Sequence, residues 1–153
     1  MSITFWFCFF VSLISVLAVQ VPRNNCDEYF TYAPTNLGRD FIGVFKAHRT
    51  DLKEFYWEAK FTAHGAHVDQ VDYLNPYPSN EESYANVRSG RAAQMFVKFF
   101  NITNELPMLT SFKLNNDTLC TNEKYPPPTT TTRVARRMTV DEIRYALQYR
   151  KNY

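Results

Sequence analysis

The chain has 153 residues, enough for one domain with a modest core. Its formal charge of +2 is uneven: from Pro126 onward six basic residues face two acidic ones, a net of +4, which leaves the preceding part at −2. That balance argues against a nucleic-acid-binding body and puts the basic character in the tail.

Residues Met1 to Val19 carry no charged side chain, and Phe5 to Leu17 is almost wholly apolar. This run has the length of a signal-peptide core and is short for a membrane span. Val16 and Ala18 are small enough to precede a signal-peptidase cut. Residues 1–18 therefore read as a signal peptide, although the basic leading region is missing; the alternatives are a buried helix and an uncleaved anchor. Removal of this segment takes Cys8 with it and leaves Cys26 and Cys120 at the edges of the folded part. Two cysteines in a secreted chain allow one intramolecular bridge. Closing so long a loop contributes about 4–5 kcal/mol in the chain-entropy account. Sequons at Asn101 and Asn116 suit an extracellular glycoprotein.

Residues 19–125 read as the folded domain. Segments 41–47, 55–63, 67–74, 94–100 and 109–114 are rich in aromatic and β-branched residues and bounded by polar, Gly, Pro or Asn stretches, which predicts strands. The second alternates most clearly, with Trp57, Ala59, Phe61 and Ala63 on one face and Glu58, Lys60, Thr62 and His64 on the other. Residues 75–90 read as a polar, proline-bearing surface loop. Asn115-Asn116-Asp117 suits a tight turn into a last short strand ending at Cys120. The expected fold is all-β, an antiparallel β-sandwich with one terminal disulfide.

Beyond it, residues 126–138 read as a Pro/Thr-rich and basic linker, an extended spacer unable to join a core. Within it Arg136-Arg137 is a basic pair open to trypsin-like processing. Residues 139–153 form the tail. Thr139 and Glu142 have capping-box spacing, and Val140, Ile143 and Leu147 share a face, so a short amphipathic C-terminal helix is expected.

The stretch FTAHGAH at 61–67 holds two of the three histidines. His64 and His67 flank Gly65 at a strand end, where a turn is expected, and with only His48 left the third ligand of a zinc site is lacking. "TAHG" resembles the surroundings of a serine protease's catalytic histidine. No serine, however, lies in a nucleophile motif, and the chain is too short for a trypsin-like domain. The carboxylates Asp27, Glu54, Glu58, Asp69, Asp72, Glu81 and Glu82 leave a glycosidase-type pair formally open, but such residues ordinarily solvate strands and loops. No catalytic residue, metal ligand or cofactor is assigned.

Several motifs together do point somewhere. Cys26 followed by Tyr29-Phe30-Thr31-Tyr32, then FIGVF, YWEAKF, LNPYPS, AAQMFVKF and above all LPMLTSFKLNNDTLC, from Leu106 to Cys120, resemble the amino-terminal domain of insect serine proteases of the gastrulation-defective type. The resemblance spans about Cys26 to Cys120. It implies a secreted, non-catalytic domain that precedes a trypsin-like protease in extracellular cascades, with Cys26 and Cys120 as its bridge. Where that catalytic domain would begin, this chain has the spacer and basic tail, so no catalytic residue is carried over.

The function expected is therefore a secreted interaction module with no chemistry of its own. Its partner would be a serine protease, its zymogen or a matrix component, with Tyr73, Tyr77 and Tyr84 as exposed aromatic candidates. The alternatives are a basic C-terminal peptide released at Arg136 or Arg137, a tail that binds sulfated glycans, and a trypsin-like protease whose remaining sequence is missing. No nucleic-acid partner is expected, and no membrane span after signal cleavage.

Overall fold

A computed structural model describes residues 18–66 and 69–139. The signal-peptide core, His67 and the expected helix after Thr139 lie outside the described residues. Two four-stranded antiparallel sheets make up the fold. The first has the order β1 (Phe30–Thr35), β2 (Asp40–Lys46), β5 (Gln94–Phe99), β4 (Asn75–Pro76). The second has the order β7 (Asp117–Thr121), β6 (Met108–Leu114), β3 (Glu54–His64), β8 (Thr129–Thr139).

The alternation read in β3 sets the core. Phe55, Trp57, Ala59, Phe61 and Ala63 are all buried; Tyr56, Glu58 and Lys60 between them face outward, whereas Thr62 is covered as well. From the other sheet Phe30, Phe45, Met95, Val97 and Phe99 meet them. The rings interlock across the gap: Phe45 lies 6.2 Å from Phe61 and 5.0 Å from Phe112, and Phe99 sits edge-on to Phe61 at 5.6 Å. Tilted and edge-to-face pairs of this kind add about 0.5–1.5 kcal/mol each beyond their buried area. A β-bulge in β6 opposite Lys60 and Phe61 explains how Leu109 and Phe112, three residues apart, both face inward. The freed Thr110 hydroxyl donates to the Lys60 carbonyl at 3.1 Å.

One position admits only glycine. A Cβ on Gly43 would lie 2.5 Å from the Phe30 ring and 3.1 Å from Phe99. Phe30 is itself 1% exposed, so its ring has nowhere to retreat.

The turn at Asn115-Asn116 is as expected. Both residues have positive φ (51° and 71°) between the paired Leu114 and Asp117, the two-residue geometry that suits a twisted hairpin. Cys26 and Cys120 are joined, Cα to Cα 5.7 Å, which ties the segment leading into β1 to β7 of the opposite sheet.

Four expectations are corrected. Strand β1 was not foreseen, because Pro34 interrupts its pattern; as an edge strand it tolerates a missing N–H. The strand expected over 67–74 reduces, among its described residues, to a bridge between Val71 and Phe99, with the two-residue β4 following. Within 75–90, Asn80–Arg88 is a helix, α1. Ser79 caps it by accepting from the Glu82 N–H at 3.2 Å, and Gly90 at φ 74° follows its end. The largest correction concerns the linker: from Thr129 to its end at Met138 it is strand, part of β8 (Thr129–Thr139), paired with all eleven residues of β3 from His64 to Glu54. Prolines stop at Pro128. The four threonines that follow are β-branched strand formers, and Val134 and Met138 deliver two buried side chains.

Strand β8 is thus a structural part of the sandwich. Met138→Ala should lower unfolding stability by about 2–5 kcal/mol, and Gly43→Ala by about 1–3 kcal/mol through overpacking. Urea unfolding would check both, and an unchanged midpoint for Met138→Ala would return the segment to a spacer.

Candidate functional site

Three regions were singled out by the sequence, and the structure treats them differently. His64 ends β3, half exposed, with Nε2 3.2 Å from Glu105 Oε2 and its ring stacked on Tyr125 at 4.0 Å. Gly65 follows at φ 94°, and its N–H donates to the Pro128 carbonyl, so the expected turn is present. His48 lies elsewhere, its Nε2 2.7 Å from the Glu28 carbonyl oxygen. Among the described residues no three His, Cys, Asp or Glu side chains gather where a metal ion could be held. A cavity of about 510 Å³ adjoins His64, lined also by Gln20, Gln70, Thr103, Asn104 and Glu105. It contains a histidine–carboxylate pair but no serine or cysteine for it to activate. Burial, then the Glu105 carboxylate, pushes the Tyr125 hydroxyl far above its ordinary value, so it stays protonated and donates to the Leu106 carbonyl.

The second region is the basic segment. Arg133 pairs with Glu58 and donates to the Tyr56 hydroxyl; Arg137 pairs with Glu54 at 3.1 Å and lies over the Tyr56 ring. Arg136 instead turns inward and donates to the Leu74 carbonyl at 2.9 Å and to Asn75 Oδ1 at 3.2 Å, bridging β8 to the edge of the other sheet. The three arginines thus have partners within the fold. Because Arg136 and Arg137 sit in a paired strand, cleavage beside them requires β8 to leave β3 first. Of the sequon residues, Asn101 and Asn116 are both exposed at turns, with φ 55° and 71°.

The third region is the outer face of the first sheet. Tyr73 is 82% exposed. Its N–H is satisfied by Asp72 Oδ1 at 2.7 Å and its carbonyl by the Asn75 side-chain amide at 3.1 Å, so this bulge in the sheet edge is held by its own neighbours. Tyr77 is half-buried and edge-on to Phe96 at 5.9 Å. Tyr84, by contrast, packs against the core. Beside Tyr77 runs a groove of about 490 Å³, lined chiefly by Phe41, Ile42, Tyr77, Phe96 and Phe100, with Asp40, Asp72 and Lys98 supplying its charges. Beyond its Asn36 rim, Leu37 stands fully exposed at the β1–β2 turn with φ 60°, a conformation that leucine adopts at a cost.

Leu37, Ile42, Phe96 and Phe100 were not singled out as site residues. The signal was present in FIGVF and QMFVKFF: Ile42 and Phe96 alternate with the inward Phe45 and Met95, so β2 and β5 are apolar on both faces. Ile42 is buried and Phe96 half-buried, while Leu37 and Phe100 are exposed at the surface, where apolar side chains that gather mark interaction sites.

The described residues therefore form a disulfide-bridged antiparallel β-sandwich with an aromatic outer groove. A family model, "Serine protease gd N-terminus", matches residues 24–130, well over half of the chain. The chain belongs to this family of protease amino-terminal domains. Comparison with curated proteins found no match, and comparison with solved structures found none. The matched range takes in both bridged cysteines and strands β1 to β7 and stops as β8 begins.

The ion pairs on β8 carry a pH signature. Hydrogen bonding to Arg133 holds the Glu58 carboxyl below its usual range, against the opposing effect of burial. A depressed carboxyl stabilises the fold fully above the unfolded value of about 4.3 and loses that contribution as pH falls through the lower folded one. Glu58→Gln should therefore be less stable than wild type by a constant margin from pH 7 to about pH 5, with the margin closing below about pH 4. Thermal melts across that range check it; a margin independent of pH would mean that the carboxylate charge plays no part.

Proposed function

We propose that the chain is a secreted, non-catalytic interaction module of an extracellular proteolytic cascade, which binds a serine protease, its zymogen or a matrix component. The supporting observation is the apolar outer groove on a domain of a protease amino-terminal family. Family membership supplies the proteolytic context, and the groove supplies a surface that would gain by being covered. The groove lining is chiefly aromatic and aliphatic, which supports reading this face as a contact surface. No helix of the described residues is long and apolar enough to cross a membrane.

The purified full chain, immobilised, should capture a trypsin-like protease, its zymogen or a matrix protein from the extracellular fluid in which it occurs. Phe100→Glu should abolish capture while leaving the melting temperature unchanged, since Phe100 is already 37% exposed. Failure to retain any of these partners, or equal retention by the variant, would overturn the reading.

Secretion belongs to the same proposal. Cleavage after Ala18 and glycans on Asn101 and Asn116 fit an extracellular site of action, since both asparagines are exposed. The intact mass of the chain recovered from culture medium, before and after enzymatic deglycosylation, should show loss of residues 1–18 and two removable glycans. A full-length, unmodified mass would remove this part.

A further inference from the structure

The chain segment that forms the edge of the first sheet beside the groove contributes charge of one sign only. Between Lys60 and Arg88 the chain carries Asp69, Asp72, Glu81 and Glu82 and no lysine or arginine. This is the segment that presents Tyr73 and Tyr77. Asp72 lines the groove and Asp40 faces it from the β2 side; among the described residues neither forms an ion pair. Lys98 is the one cation in the lining. The same edge already receives a guanidinium from within the fold: Arg136 is held by the Leu74 carbonyl and Asn75 Oδ1, immediately beside Tyr73.

Tyr73 has the features of an anchor. It is a large ring, 82% exposed, on a bulge whose backbone groups are satisfied locally by Asp72 and Asn75, so little order is lost when it is covered. An exposed tyrosine face next to the Asp72 carboxylate, which forms no ion pair among the described residues, is suited to a cationic side chain, through cation–π attraction and charge-assisted hydrogen bonds together. Resting on the interaction-module reading, we infer that this edge docks a basic segment of the protein partner, with an arginine or lysine set against Tyr73 and Asp72 and the neighbouring apolar side chains in the Tyr77–Phe96–Phe100 groove.

Fluorescence anisotropy tests the inference with the full chain and two labelled peptides, one alternating arginine with valine and one alternating glutamate with valine. The arginine peptide should bind and the glutamate peptide should not, and raising the salt concentration should weaken binding. Tyr73→Ala should weaken it at least about tenfold. Asp72→Asn keeps an oxygen acceptor for the Tyr73 N–H while removing the charge, and should weaken it about threefold or more. Asp40→Asn provides the same charge test on β2, and thermal melts confirm that each variant is folded. Equal binding of the two peptides, no binding of either, or an arginine-peptide affinity unchanged in Tyr73→Ala would overturn the inference. So would a concentration-dependent dimer lost in Tyr73→Ala, which would make a second copy the occupant. The two proposals fail separately: a protease, zymogen or matrix protein captured through Phe100 but indifferent to Tyr73, Asp72 and salt would leave the module standing and remove the basic segment.

Discussion

The contact between Phe30 and the bare backbone of Gly43 is the constraint on which the sandwich turns. With no Cβ at Gly43, the Phe30 ring lies down against β2 and fills the space between the sheets, 4.6 Å from Phe45 and 5.8 Å from Phe61. Tyr32, two residues on, then stands edge-on to Phe30 at 4.7 Å. Its hydroxyl reaches the second sheet, donating to the Pro107 carbonyl and accepting from the Leu109 N–H. Burial pushes that hydroxyl far above its ordinary pKa, so it remains a donor. A side chain larger than hydrogen at 43 would lift Phe30 and disturb the chain of contacts that seats β1. Cys26 begins the same segment, so the disulfide and the ring packing fix one strand from two sides.

The sheets are closed along their edges by polar clasps rather than by further apolar area. On one side the disulfide is backed by Asn122, whose amide donates to Asn24 Oδ1 and to the Leu109 carbonyl, while Asn24 donates to the Phe30 carbonyl. On the other, Arg136 spans from β8 to the β4 edge. Each clasp satisfies backbone carbonyls that sheet pairing leaves open, the requirement that buried or half-buried polar groups find partners. The arginine works here through its geometry: a guanidinium can address two acceptors at once while its stem lies along the apolar seam.

How much of this could be read in the sequence follows from which signals are local. Strand β3, the Asn115-Asn116 turn and the cysteine bridge depend on alternation, on residues that accept positive φ, and on counting, all visible in one chain. Strand β8 was missed because the prolines at 126–128 and the threonines after them were taken as one low-complexity run, although the two residue types favour different backbones. The helix at 80–88 was missed although Ser79 and Glu82 have the spacing that was noted at Thr139 and Glu142; its polar composition outweighed its cap. The outer groove was only partly legible. Tyr73 and Tyr77 could be named, but that Phe41, Ile42, Phe96 and Phe100 gather beside them depends on the pairing of β2 with β5, which no local pattern states.

The two outer faces explain why one sheet and not the other is suited to contact. On the second sheet the outward row of β3 is Glu54, Tyr56, Glu58 and Lys60, and it meets Arg137 and Arg133 of β8 and Lys113 of β6. Glu58 pairs there with Arg133 and Glu54 with Arg137, so covering this face would cost more in desolvation than new contacts return. On the first sheet the outward row of β2 and β5 sets Phe96 and Lys98 beside a buried Ile42, overlooked by Tyr77 and flanked by Phe100. Hydration stabilises little of that surface, and Leu37 and Tyr73 project beyond it into solvent. A solitary domain gains nothing from holding a leucine at φ 60° with its side chain fully exposed, or from a tyrosine whose bulge is secured by two neighbouring side chains. Both arrangements fit the proposed contact, which the first sheet would make with the second as its rigid backing.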